Sequence, residues 1–170
     1  MTRIKHEPHR LRIMQSRRID ASLHQDDNTR RKHASPMSDL GLTHIALPAL
    51  DLDASIAFYA RFAGMQVIHR RHDVVWLSDL TRPFAIVLIR ADVVRHPLLP
   101  FAHLGVGVAS RAEVDRLCAL AREDECLIRP PEDYGPPVGY WALIRDPDGH
   151  TLEVAHGQEL RLTVQQAGHR

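Results

Sequence analysis

The chain has 170 residues, a formal net charge of +1 and a hydrophobic fraction of 44%. That length suits one domain with its own core, or two small modules sharing one. The near-neutral balance gives no basis for a nucleic-acid surface, and no apolar run reaches the roughly 20 residues of a membrane span.

The average hides a boundary. Residues 1–37 carry nine of the 22 Lys/Arg and only four of the 21 Asp/Glu, and both lysines, Lys5 and Lys32, lie there. With no sustained apolar periodicity this stretch cannot offset its ordering entropy by burial, so residues 1–37 are expected as a basic, disordered tail. Met37 is the expected start of the functional chain. Cys118 and Cys126 have no CxxC spacing, and with no signal peptide they read as reduced thiols of a cytoplasmic protein.

Leu42-Thr-His-Ile-Ala-Leu47 reads as a short strand. Asp53 is the expected N-cap of a helix running to about Ala63, with Gly64 ending it. Met65 to Arg70 and Val74 to Ser78 read as strands hinged at Arg71-His72-Asp73. Phe84 to Arg90, nearly all apolar, reads as a strand at the centre of a sheet. The order is βαβββ.

After the connector from Ala91 to Pro100 the order begins again. Phe101 to Val108 reads as a strand, and Ser110-Arg-Ala-Glu113 as a capping box opening a helix through about Glu123. Cys126 to Arg129 is a short strand and Pro130 to Pro137 a loop. Asp146-Pro147-Asp148-Gly149 is then a three-residue hairpin turn, with Pro147 fixing the first corner and Gly149 supplying positive φ. Its register puts Leu143 opposite Glu153. Trp141, Leu143 and Arg145 share a face, as do Thr151, Glu153 and Ala155. Module 1 spans about 41–91 and module 2 about 100–157, within a domain at 38–160 followed by a C-terminal tail at 161–170. The expected class is α+β, two βαβββ modules completing a cup-shaped mixed sheet.

His44 and His103 occupy matching places in the first strands of the two copies, 59 residues apart. Each taken alone reads as an ordinary core or surface histidine. Glu153 stands mid-strand between Leu152 and Val154, where a carboxylate is costly to bury unless a cation receives it. Two imidazoles and one carboxylate are the donor set of a facial triad for divalent Fe, Mn, Ni or Zn. Trp141 and Leu143 read as an apolar wall of the substrate cavity. Tyr134 and Tyr140 flank a Gly-Pro-Pro loop, and either could donate a hydroxyl to substrate or simply pack a turn and a sheet edge. His150 and His156 read as exposed, with His156 at most behind a ligand. His69 and His72 read as solvated, as does the Glu123-Asp-Glu125 run.

In the order Leu-Thr-His44-Ile-Ala-Leu, Ser55-Ile-Ala-Phe58-Tyr59, Gly64-Met65, His103-Leu-Gly-Val and Asp146-Pro-Asp-Gly-His-Thr-Leu-Glu153-Val, the chain resembles the vicinal oxygen chelate superfamily. That group holds glyoxalase I, bleomycin-resistance proteins, fosfomycin-resistance enzymes and extradiol dioxygenases. The resemblance covers Gly41 to about Gly157. It implies paired modules around a divalent metal held by His44, His103 and Glu153, often in a homodimer, with a small-molecule substrate bearing vicinal oxygens. It also shows departures. Val87 stands where glyoxalase I has a fourth ligand, and Leu143 where extradiol dioxygenases carry a tyrosine. The expectation is a metal-dependent dioxygenase-like or lyase/isomerase-like enzyme; the alternative is a non-catalytic binding protein of the bleomycin-resistance type.

Overall fold

The computed structural model describes residues 41–99 and 101–168. The expected basic tail at 1–37 lies outside the described residues. Eight strands and three helices follow one another as β1 (His44–Ala49), α1 (Leu52–Ala63), β2 (Gln66–Arg71), β3 (Val74–Ser78), β4 (Ala85–Arg90), β5 (His103–Gly107), α2 (Arg111–Glu123), β6 (Leu127–Asp133), β7 (Tyr140–Arg145), β8 (Thr151–His156) and α3 (Leu160–Ala167). They build two four-stranded sheets, ordered β1-β4-β3-β2 and β5-β8-β7-β6. In each, the module's first strand (β1 or β5) pairs parallel with its neighbour and the other contacts are antiparallel. This is the expected βαβββ repeat, α+β. Within the chain the two sheets remain separate.

Local chemistry explains most boundaries. The N-cap of α1 is Asp51 rather than Asp53: its carboxylate accepts the N–H groups of Asp53 and Ala54. Gly64 closes the helix with φ 62°, a left-handed position that suits glycine. Ser110 caps α2 through the Glu113 N–H, as a capping box requires. The reciprocal half is absent because the Glu113 carboxylate pairs with Arg116 instead. β6 runs beyond its expected end, through Pro130 and Pro131. It lies at a sheet edge with register shifts, the one setting in which prolines cost a strand little. The segment expected as a C-terminal tail is helical, forming α3.

One core serves both sheets. Leu47, Val75, Leu77, Ile86 and Leu88 of the first sheet and Ala142, Ile144, Leu152 and Val154 of the second join Phe58, Tyr59 and Phe62 of α1 and Val114, Leu117 and Cys118 of α2. Strand residues alternate between faces, so this core claims one face of each sheet. His44, Ala46 and Val87 in one sheet, and His103, Gly105, Glu153 and Leu143 in the other, stand on the opposite faces.

Candidate metal centre and its cup face

Register places the candidate residues. Across the second sheet, Gly105, Glu153, Leu143 and Arg129 form one row. Across the first, Ala46, Val87, Trp76 and His69 form the equivalent row. Val87 is therefore the repeat partner of Glu153, and the first module contributes no carboxylate there. His44 pairs with Ala85 and His103 with Thr151, each two positions before the Val87 or Glu153 level, so the two histidines match as the repeat requires.

His103 and Glu153 come together: Nε2 stands 3.4 Å from Oε2. Two donors bonded to one metal at about 2.1 Å, with angles of about 90–110°, stand roughly 3.0–3.4 Å apart, so this pair fits a shared divalent ion. The other carboxylate oxygen, Oε1, accepts a 2.6 Å hydrogen bond from Gln158 Nε2. That bond fixes the carboxylate plane and turns Oε2 towards the imidazole. Gly105 lies beside Glu153 without a side chain, which keeps the approach open. Glu153 is only 8% exposed, so its charge calls for a cation.

His44 is not part of this pair. It is exposed, with Nδ1 3.1 Å from Thr43 Oγ1. Among the described residues, no three His, Cys, Asp or Glu side chains cluster as a metal would need within the single chain. The reason is architectural: the two sheets share their core through the opposite faces. β1 and β5, which carry the histidines, are both edge strands. A cavity of about 770 Å³ runs along β5 and takes in His103 and Gly105 together with Leu42, Met65 and Phe84.

The remaining candidates separate by face. Trp141 and Leu143 form a small buried cluster with Ala155 on the Glu153 side, apart from the main core. Tyr134 packs edge-on against Trp141, with ring centroids 5.4 Å apart. The neighbouring Glu132 carboxylate raises its phenol pKa. Tyr140 has the opposite parity; its hydroxyl donates to Asp115 Oδ1 at 2.6 Å, and that bond raises its pKa as well. Two buried polar atoms lack partners among the described residues, Trp141 Nε1 and Thr151 Oγ1. Both belong to the Glu153 face.

His150 overturns its expected exposure. It is 1% exposed; Nδ1 accepts the Leu98 N–H and Nε2 donates to the Pro48 carbonyl. His156 is half-buried rather than exposed, its Nδ1 donating to Val108 O. His69 is exposed as expected and meets the Trp76 ring at a tilt, with centroids 5.1 Å apart. Arg145 is exposed, donating to the Glu125 carbonyl. Neither cysteine is in a disulfide; burial pushes the Cys118 thiol up to about 11.

Two βαβββ units, with His103 and Glu153 paired on the face away from the core, define the class of fold. Residues 41–154 match the Glyoxalase/Bleomycin resistance protein/Dioxygenase superfamily, and the chain belongs to that family. It is 40% identical over 126 residues to the uncharacterized protein PA2024 of Pseudomonas aeruginosa, an alignment covering 70% of this chain and 90% of that one. Its fold is similar to that of a possible glyoxalase from Bacillus cereus (TM-score 0.58, 24% identity, 69% of this chain and 99% of that chain). It is equally similar to a variant of the fosfomycin resistance protein FosX from Listeria monocytogenes, complexed with Mn(II) and 1S,2S-dihydroxypropylphosphonic acid (TM-score 0.58, 20% identity, 72% and 97% coverage). Among the described residues no helix is long and apolar enough to cross a membrane.

Proposed function

We propose that this protein is a metal-dependent, cytoplasmic, homodimeric enzyme acting on a small organic substrate with adjacent oxygens, its metal bound between two copies of the chain. His103 and Glu153 come from one copy and His44 from the other. The observation that carries this reading is the 3.4 Å approach of His103 Nε2 to Glu153 Oε2, with the second carboxylate oxygen already engaged by Gln158. A structural ion pair would not need the remaining histidine at the same register on the matching edge strand of the other module; a three-donor metal site would. The open edges of β1 and β5 and the cavity along β5 suit closure by a second copy.

Donors of this type suit Fe, Mn, Ni or Zn. When bound, such an ion supplies Lewis acidity towards a chelated oxygen pair. The chain's own residues do the rest. Gln158 holds the Glu153 carboxylate in one orientation, and the missing side chain at Gly105 admits the substrate. Trp141, Leu143 and Ala155 keep water from one wall of the cup. Val87 brings neither a fourth ligand nor a base, which favours a dioxygenase-like or lyase/isomerase-like reaction other than lactoylglutathione isomerisation.

The test is elemental analysis of purified protein beside His44→Ala, His103→Ala and Glu153→Gln. The reading expects one divalent metal per chain in the wild type and loss in all three variants. A wild type that refuses every divalent metal yet binds small organic ligands would make it a sequestering protein of the bleomycin-resistance kind.

A further inference from the structure

We propose that Arg129, stacked on Trp141, is the anchor for an anionic group of the ligand, so that the cup takes organic anions: carboxylates or phosphonates whose charged end lies away from the metal. The proposal rests on the Glu153 face being the substrate side, and it extends that reading to the class of substrate.

Arg129 stands in the same cross-strand row as Glu153, two strands away with Leu143 between them. Strand spacing puts the two backbones on the order of 10 Å apart. The guanidinium lies over the Trp141 ring, Cζ 5.3 Å from its centroid, while Tyr134 closes on the ring's edge. Its Nε stands 3.5 Å from Glu132 Oε1, with the arginine side chain 47% exposed. The indole Nε1–H of Trp141, a residue only 7% exposed, has no hydrogen-bond partner among the described residues.

The chemistry of this set is one-sided. A guanidinium donates and never accepts, so the group that pairs with it is acceptor-only. A carboxylate or phosphonate oxygen fits, and the planar guanidinium pairs with either through two parallel hydrogen bonds. A neutral hydroxyl or amide would bring donors of its own and meet fewer of these. Leu143, between the two ends, calls for an apolar spacer. The competing account makes Arg129 and Glu132 an ordinary exposed i,i+3 pair, with side chains 47% and 35% exposed, of little energetic consequence.

Fluorescence titration separates the two accounts. In a Trp76→Phe background Trp141 is the sole tryptophan of the chain, and its emission reports on the anchor directly. Metal-free, full-length protein is titrated with phenylacetate, phenylpropionate, phenylbutyrate and phenylphosphonate, each beside its neutral amide or ester. At least one anion should shift the Trp141 emission saturably. Its affinity should exceed that of its neutral counterpart by about tenfold or more, and added salt should weaken it. Arg129→Gln should abolish that preference, and Arg129→Lys, which keeps the charge but loses the fork and the stacking, should restore part of it. If no anion binds, if neutral and anionic forms bind alike, or if Arg129→Gln binds as well as the parent, the anchor is wrong and Arg129 is a surface residue. No metal is needed for this readout, so its failure leaves the three-donor centre standing, and failure of the metal analysis leaves the anchor standing.

Discussion

The Tyr59 hydroxyl donates a 2.9 Å hydrogen bond to Asp146 Oδ2, joining α1 of the first module to the hairpin turn of the second across 87 residues of chain. The same turn makes further ties. Asp148 accepts the Leu50 N–H and the Ser55 hydroxyl, and His150 donates to the Pro48 carbonyl. Asp146 Oδ1 meanwhile accepts the N–H groups of Asp148 and His150, holding the turn itself. The Asp-Pro-Asp-Gly-His segment is thus a clasp between modules as well as a reversal between β7 and β8. It fixes where β8, and therefore Glu153, stands relative to the first module.

Tyr59→Phe tests the clasp with little change in volume. The ring remains in the core, but Asp146 Oδ2 loses its hydroxyl partner on a residue only 3% exposed. Leaving a buried acceptor unsatisfied costs about 1–3 kcal/mol. In a protein of this size the expected fall in Tm is about 3–10 °C, read by calorimetry or circular dichroism. A Tm unchanged within a degree would show that the bond contributes nothing net.

Asp146 also gives the protein a pH signature. Burial is the largest influence on its carboxyl and raises the pKa above 3.8, outweighing the opposing pull of His150 and of the hydrogen bonds it accepts. The folded state therefore retains this proton where the unfolded chain has already lost it. Stability from this group is greatest below the ordinary aspartate value and falls as pH rises through the raised folded value, after which it is level. Asp146→Asn cannot ionise. Denaturant titrations from pH 3 upwards should show the variant gaining on the wild type across that window, whatever the offset between them. A constant difference at every pH would contradict the assignment.

Gln158 is the residue through which Glu153 is aimed. Removing an outer hydrogen-bond partner of a metal ligand typically weakens metal binding by about 10–100-fold. Gln158→Ala should reduce affinity by that order in competition with a chromophoric chelator and leave the Tm of metal-free protein nearly unchanged. Equal metal affinity in the two proteins would mean that the carboxylate is oriented by other means.

The parts of this architecture legible in sequence were those with a local cause. Alternation located the strands, Ser110 and Gly64 marked helix ends, and the Pro147–Gly149 turn fixed the register that sets Leu143 against Glu153. The errors arose where a distant partner decides. His150 is polar and follows a turn, so its neighbours give no hint of Leu98 and Pro48 waiting on either side. The prolines of β6 read as a loop because only the assembled sheet shows that they lie at an edge. Arg129 had no signal at all, since its meaning comes from sharing a row with Glu153 and a ring with Trp141. The repeat placed His44 and His103 correctly on matching strands, yet repetition cannot tell whether equivalent strands meet within a chain or between chains.

That last ambiguity yields the sharpest expectation. Copies carrying His44→Ala and copies carrying Glu153→Gln each lack a donor, so neither pure variant should hold the metal. In a mixed dimer with sites shared between copies, one site collects both lesions and the other collects none: His44 of the Glu153→Gln copy meets His103 and Glu153 of the His44→Ala copy. Random pairing makes half the dimers mixed, so co-expression should recover about a quarter of the wild-type metal content, as expected for a two-fold symmetric interface. Tagging the two copies differently and purifying the mixed dimer alone should raise that to about half. A site built within one chain would recover nothing in either preparation, because every chain in the mixture lacks a ligand.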